Sequence, residues 1–395
     1  MARKILHLDL DAFFCAVEEQ RDPSLAGKPF AVGGQPDRRG VVASCSYAAR
    51  TYGVRSAMPM ATALRLCPEL MVVPHSFGAY REASHAVMDR VNDLTPLVEQ
   101  LSIDEAFLDV TMLPDPAEDI ARRLQATIND DLRLPCSLGV ATNKLVAKIA
   151  NTVGKARART GHPPNAIQVV PPGEEAAFLA PLPVEELWGV GPKTAEQLAR
   201  LGLRTIGDIA RWPESDLVRR FGKHGEQLAE RARGIDERPV ETVRETKSIS
   251  KETTFARNVS DAATLRRTLR RLADGVGAQV RNEGLSGTTI KIKLRWEDFT
   301  TLTRQVTLDH TTDQDGEIAE VALRLLEEHW PPGRPVRLIG VGISGFETPH
   351  RQLGLWDDRG AMEQNRRLQS TLDALRERFG SDAVQRGSDL GPDDD

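Results

Sequence analysis

The run Leu101-Ser102-Ile103-Asp104-Glu105-Ala106-Phe107-Leu108-Asp109-Val110 sets two acids side by side inside an alternating apolar stretch. β-branched Ile103 and Val110 suit a strand or a tight hairpin. Neighbouring strand residues face opposite sides, so Asp104 and Glu105 share a site only where a turn re-aims one of them. Such a turn crowds like charges, and a bound divalent cation is the obvious compensation. A solvated acidic turn would satisfy the same residues.

The N-terminus bears on that choice. Ile5-Leu6-His7-Leu8-Asp9-Leu10-Asp11 has the pattern of a buried strand ending in acids, and Ala12 to Gln20 that of a helix with Phe13, Phe14 and Val17 apolar. Asp9 and Asp11, two apart, face one side if the strand continues. Carboxylates at two strand ends suit two-metal phosphoryl transfer, in which hard oxygen ligands hold Mg²⁺. Spacing alone admits Asp11 to the ligand set alongside Asp9, Asp104 and Glu105.

At 395 residues the chain exceeds one core, and ~100–200 residues per domain gives two to four domains. With 40% hydrophobic and 28% charged residues it has a soluble globular composition, and no apolar run approaches the ~18 residues of a membrane span. Asp9 interrupts the first apolar region too early for a signal peptide. Cys15, Cys45, Cys67 and Cys136 form neither a metal-ligand spacing nor a small disulfide framework, which suits a reducing cytoplasm. A net charge of −5 advertises no polyanion partner, so nucleic-acid binding must rest on local patches. One exists: from Arg244 to Leu308, thirteen basic residues face seven acids, while 389–395 is an acidic tail.

Leu8-Asp9-Leu10-Asp11-Ala12-Phe13-Phe14, Ser46-Tyr47-Ala48-Ala49-Arg50 and Ser102-Ile103-Asp104-Glu105-Ala106 together resemble Y-family DNA polymerases, and within them the bacterial polymerase IV-like lesion-bypass enzymes. The resemblance runs from residue 1 to roughly 350. It implies an α+β multidomain right hand with a C-terminal β-α-β-β-α-β little finger. Residues 1–18 and 76–168 would be palm, 19–75 fingers, 169–235 a helix-hairpin-helix thumb, 236–247 a linker, 248–348 the little finger, and 349–395 a clamp-binding segment and charged tail. The palm is expected to carry its helices on one face of a mixed sheet.

The implied metal ligands are Asp9, Asp104, Glu105 and the main-chain carbonyl of Leu10, for two Mg²⁺ ions, with Asp11 structural. Phe13 and Phe14 fall at the nucleotide sugar. Phe14 is the steric gate, where a rigid ring leaves a 2′-hydroxyl neither room nor a partner, while a core role is favoured for Phe13. Tyr47 and Arg50 would bind the triphosphate, Arg as a permanent forked donor. Lys155 would be a third contact, and Ala156 to His162 resembles an insertion that follows it. Gly33-Gly34 suits a turn.

Leu187-Trp188-Gly189-Val190-Gly191-Pro192-Lys193-Thr194 resembles a helix-hairpin-helix turn, in which Gly189, Gly191 and Lys193 would meet a DNA phosphate at a helix start. Phe221-Gly222-Lys223-His224-Gly225 is a weaker second copy. In the basic region, Ser248 to Arg257, Thr288 to Trp296 and Arg337 to Phe346 suit strands, with helices near 261–283 and 316–330. Ile290, Ile292 and Leu294 would face those helices, and Lys291, Lys293 and Arg295 the duplex. Arg351-Gln352-Leu353-Gly354-Leu355-Trp356 resembles the peptide that docks on the sliding clamp, through Gln352, Leu353, Leu355 and Trp356. A charged helix over 363–379 has no assigned role.

The implied activity is template-directed DNA synthesis past damaged bases at low fidelity. Primer-template DNA, dNTP and the clamp are its partners, with no membrane, as a monomer at the nucleoid in the cytoplasm. A catalytically dead recruiter and a metal-dependent nuclease or cyclase are the rivals.

Overall fold

The computed structural model describes residues 2–158, 161–346, 367–369, 371–375 and 378–380. The chain divides into two compact units, Met1–Arg244 and Glu245–Asp395.

The first unit begins with β1 (Ile5–Leu10), α1 (Phe13–Arg21), β2 (Phe30–Gly33), β3 (Val42–Cys45), α2 (Tyr47–Thr51), α3 (Met60–Leu66) and β4 (Met71–Val73). It continues through α4 (Phe77–Leu94), β5 (Val98–Gln100), β6 (Glu105–Asp109), α5 (Ala117–Leu132), β7 (Cys136–Ala141), α6 (Lys144–Arg157) and β8 (Ile167–Val169). Five helices close it: α7 (Glu175–Leu179), α8 (Pro192–Arg200), α9 (Ile206–Arg211), α10 (Glu214–Phe221) and α11 (Lys223–Ala232).

Its main sheet has the order β5-β6-β1-β7-β8, with β1 central and antiparallel to both β6 and β7. Residues of β1 alternate between two cores. Leu6, Leu8 and Leu10 pack with Val87, Val91, Ile120 and Leu124 of α4 and α5, while Ile5 packs with Phe107 and with Leu145 and Ile149 of α6. The expectation of helices on one face is therefore corrected: a strand apolar in both registers is covered on both sides. Each fully buried Leu or Ile contributes about 1.5–3 kcal/mol. A smaller sheet, β3-β2-β4, has its own core around Val42, Cys45, Val54 and Met60.

Two backbone features place α6 and α1. A Cβ on Gly139 of β7 would lie 1.9 Å from the Ala147 carbonyl oxygen, so α6 rests directly on the strand. Ala12 turns the chain from β1 into α1 at φ 47°, ψ 44°, a left-handed conformation that costs a non-glycine residue roughly 1–2 kcal/mol.

The second unit contains β9 (Ser248–Val259), α12 (Ala262–Asn282), β10 (Gly287–Trp296), β11 (Thr301–Thr312), α13 (Asp315–His329) and β12 (Val336–Phe346). This is the β-α-β-β-α-β order, in an antiparallel sheet β11-β10-β12-β9. Ile290, Ile292 and Leu294 are buried against Leu265, Leu269, Ile318 and Leu325 of the two helices. Arg281 of α12 pairs with buried Asp315 at 2.8 Å and with Asp373 at 2.7 Å; the described residues at 367–369, 371–375 and 378–379 are helical. Among the described residues, no helix is long and apolar enough to cross a membrane.

Candidate active site

Asp9, the penultimate residue of β1, is paired directly with Glu105, the first residue of β6. Directly opposed residues point to the same face, here the face covered by α6. The tight approach to β6 carries Asp104, whose carbonyl accepts from Leu10 N–H at 3.0 Å, while its carboxylate takes the Ser102 hydroxyl at 2.6 Å.

α6 supplies the cations. Lys155 Nζ lies 2.5 Å from Asp9 Oδ1 and 3.0 Å from Asp11 Oδ1, and Lys148 bonds Glu105 Oε1. Burial pushes the Asp9 carboxyl up, with Lys155 pulling against it. Burial would lower the Lys155 ammonium, but Asp9 and Asp11 together raise it. Burial also acts upward on Glu105, yet hydrogen bonds and charge from His7 and Lys148 outweigh it and hold the carboxyl at about 2. His7 is itself lowered to about 4, chiefly by burial. Near pH 7 it acts on Glu105 as a hydrogen-bond donor, alongside the hydrogen bond and charge of Lys148.

Asp11 has no exposure, and its oxygens are taken by Ser137 Oγ at 2.8 and 3.0 Å, by Asn165 N–H at 3.0 Å and by Lys155. Phe13 is 2% exposed and lies in the core, so its ring offers no face to a ligand. Phe14 is half-buried on the first turn of α1, stacked on Tyr80 and edge-on to Phe77.

Ser46 caps α2 by accepting from Ala49 N–H at 3.2 Å. This orders the turn carrying Tyr47 and Arg50, whose guanidinium lies 4.4 Å over the Tyr47 ring. Arg50 Nε donates to the Cys45 carbonyl at 3.3 Å. Burial, then the negative charge of Asp11, raises the Tyr47 phenol, so it stays a neutral donor. A cavity of about 850 Å³ opens here, lined among others by Asp11, Lys28, Ser46, Tyr47 and Arg133.

Among the described residues, no three His, Cys, Asp or Glu side chains form a ready-made metal cluster. The donor chemistry nonetheless fits a hard dication. Asp9, Asp104 and Glu105 offer only oxygen, and two lysine ammoniums supply positive charge at Asp9 and Glu105.

Comparison with known proteins identifies the family. A model described as the impB/mucB/samB family matches residues 8–152, its C-terminal domain matches 246–355 and its HHH motif matches 172–203. DNA polymerase IV of Desulfatibacillum aliphaticivorans is 42% identical over 386 residues, covering 96% of this chain and 95% of that one. The chain belongs to the Y family of DNA polymerases. A solved Y-family DNA polymerase chimera is 28% identical at a TM-score of 0.77, covering 87% of this chain and 99% of its own. An insertion ternary complex of Dbh DNA polymerase is 27% identical at 0.62, again covering 87% and 99%.

Two further sets of predicted site residues lie on α8 with its preceding turn and on β10. Gly189 has φ +100°, and Gly191 precedes α8 with Pro192 in its first turn and Lys193 exposed. Gly222, at φ +60°, likewise separates α10 from α11. On β10, the helix-facing Ile290, Ile292 and Leu294 alternate with half-buried Lys291, Lys293 and Arg295 on the other face. There Lys293 bonds Glu252 at 2.7 Å and Arg295 bonds Thr301 at 2.9 Å, whereas Lys291 bonds no described residue. Gln352, Leu353, Leu355 and Trp356 lie outside the described residues.

His7, Lys148 and Asn151 went unnoticed in the sequence. His7 had a usable signal, its i−2 relation to Asp9 on one strand face. The other two reach the site through the packing of α6.

Proposed function

We propose that this chain extends a DNA primer on a template, including past damaged bases, by nucleotidyl transfer from dNTP to the primer 3′-hydroxyl at low fidelity. The pairing of Asp9 with Glu105 across β1 and β6, beside Asp104 and flanked by Lys148 and Lys155, carries the reading. It agrees with the DNA polymerase IV relative and with the ternary complex among the structural neighbours.

Asp9, Asp104, Glu105 and the Leu10 carbonyl would hold two Mg²⁺ ions. When bound, these supply charge to activate the primer hydroxyl and neutralise the leaving pyrophosphate. Arg50, whose terminal amino groups bond no described residue, and neutral Tyr47 take the triphosphate oxygens. Lys155 joins them once its ammonium is released from Asp9. Phe14 closes the space beside the sugar C2′, so a ribonucleotide clashes or buries an unpaired hydroxyl.

The 1–18 and 76–168 segments act as palm, 19–75 as fingers and 169–235 as thumb, with 236–247 as the linker. The turn at Gly189, Gly191 and Lys193 and the Lys291, Lys293, Arg295 face take DNA phosphates without reading sequence. Gln352 to Trp356 dock on the sliding clamp. The enzyme works as a monomer on DNA at the nucleoid.

Primer extension with Mg²⁺ and dNTPs, on an undamaged template and on one with an abasic site, tests the reading. The primer should lengthen on both, and Asp104→Ala should abolish extension. A shortened primer, or full activity in D104A, overturns the assignment.

A further inference from the structure

His7 sits two residues before Asp9 on β1, on the same strand face, and is 2% exposed. Its ring lies 4.8 Å from that of Phe107. The amino group of Asn151, on α6, is 3.1 Å from the His7 carbonyl oxygen, 3.0 Å from the Ser137 carbonyl oxygen and 3.0 Å from His7 Nδ1. Carbonyl oxygens only accept, so two strands dictate that Asn151 presents its NH₂ here. An amide NH₂ only donates, so His7 Nδ1, 3.0 Å from it, faces it unprotonated, as an acceptor. The imidazole proton is then on Nε2, 2.6 Å from Glu105 Oε1.

The arrangement carries a cost. Asn151 Oδ1 is buried with no partner among the described residues, and an orphaned acceptor of this kind destabilises by about 1–3 kcal/mol. An orphaned buried acceptor calls for an explanation, and here the residue's amino group is committed to the strands and to His7. The beneficiary is Glu105. His7 and Lys148 both bond its Oε1, and no described residue bonds Oε2.

The geometry points to His7 as a positioning residue of the polymerase site: fixed in its Nε2–H tautomer by Asn151, it anchors Glu105 through Oε1 and leaves Oε2 presented to a divalent cation. This rests on the reading of Glu105 as a cation ligand. Hydrogen bonds behind a ligand fix its orientation, and their loss weakens metal binding by roughly 10–100-fold.

His7→Phe keeps a ring against Phe107 and removes the donor; His7→Gln keeps an amide donor. Mn²⁺ binding to the full chain on primer-template DNA, without nucleotide, is read from the paramagnetic resonance of free Mn²⁺. The half-saturating Mg²⁺ for primer extension is measured alongside. H7F should weaken Mn²⁺ binding and raise half-saturating Mg²⁺ roughly 10–100-fold, with a smaller loss in kcat at saturating metal, while H7Q stays within about threefold of wild type. Wild-type Mn²⁺ affinity in H7F, or H7Q as impaired as H7F, overturns the role of His7. Should H7F fail to fold, H7N, too short to reach Oε1, takes its place in the same comparison. A wild-type chain that neither binds Mn²⁺ nor extends the primer overturns the reading of the site itself, whatever His7 does.

Discussion

The rings of Phe14 and Tyr80 lie face to face, their centroids 4.2 Å apart and their planes 9° from parallel. Tyr80 is fully buried and its hydroxyl donates to Glu18 Oε1 at 2.5 Å, so the surface behind Phe14 is rigid. The gate proposed at Phe14 works only if it cannot yield, and the ring behind Phe14 is itself tied down.

Phe14→Ala should therefore admit ribonucleotides. The ratio of kcat/KM for a dNTP over the matching rNTP is expected to fall by roughly 10–200-fold, the range for a pocket losing one steric exclusion. Single-nucleotide insertion kinetics check it, with dNTP use largely retained.

Alkaline pH should expose the Tyr80 hydrogen bond. Burial, then the bond to Glu18, raises the phenol to about 12. Above the ordinary tyrosine value of about 10, the unfolded chain has lost a proton that the folded chain keeps. The contribution is thus full below pH 10 and is lost as pH rises toward 12. Tyr47 and Tyr52 are raised as well, so the folded protein should show little tyrosinate absorbance at pH 10. Urea unfolding across this range should be steeper in pH for wild type than for Tyr80→Phe.

Lys155→Met should mainly injure nucleotide use. The variant loses a charge-assisted contact of about 1.5–3 kcal/mol, and kcat/KM for dNTP should drop roughly 10–150-fold. Primer-template affinity, measured by fluorescence anisotropy, should stay near wild type.

On β10, Lys291→Ala should weaken DNA binding more than Lys293→Ala. Lys293 must first give up Glu252, at 2.7 Å, whereas Lys291 bonds no described residue. Each lost phosphate contact lowers the slope of log affinity against log salt by about 0.9, so a salt titration distinguishes the two.

Much of the site was legible because its acids sit in short local patterns: Leu8 to Phe14 and Ser102 to Ala106 announce themselves without tertiary information. Their partners do not. Lys148 meets Glu105 and Lys155 meets Asp9 only because α6 crosses back over β1, and a helix carrying spaced lysines has the same sequence appearance as any solvated one. In the fold, β11 belongs to the expected β-α-β-β-α-β order but has no readable pattern, because Thr301–Thr312 is mostly polar, its apolar positions Leu302, Val306 and Leu308 only half-buried at a sheet edge. Strands of three residues, β4, β5 and β8, are too short to carry a period.

Gly139 has a reach well beyond its own strand. A single methyl there would strike the carbonyl of Ala147 and the amide nitrogen of Asn151, and the helix would have to ride up off the sheet. Lys148, Asn151 and Lys155 would retreat together, because all three hang from the same rod. A residue with only hydrogen for a side chain thus serves as the gauge block for the cluster on this helix, and an alanine there should blunt the proposed catalysis from beneath the helix.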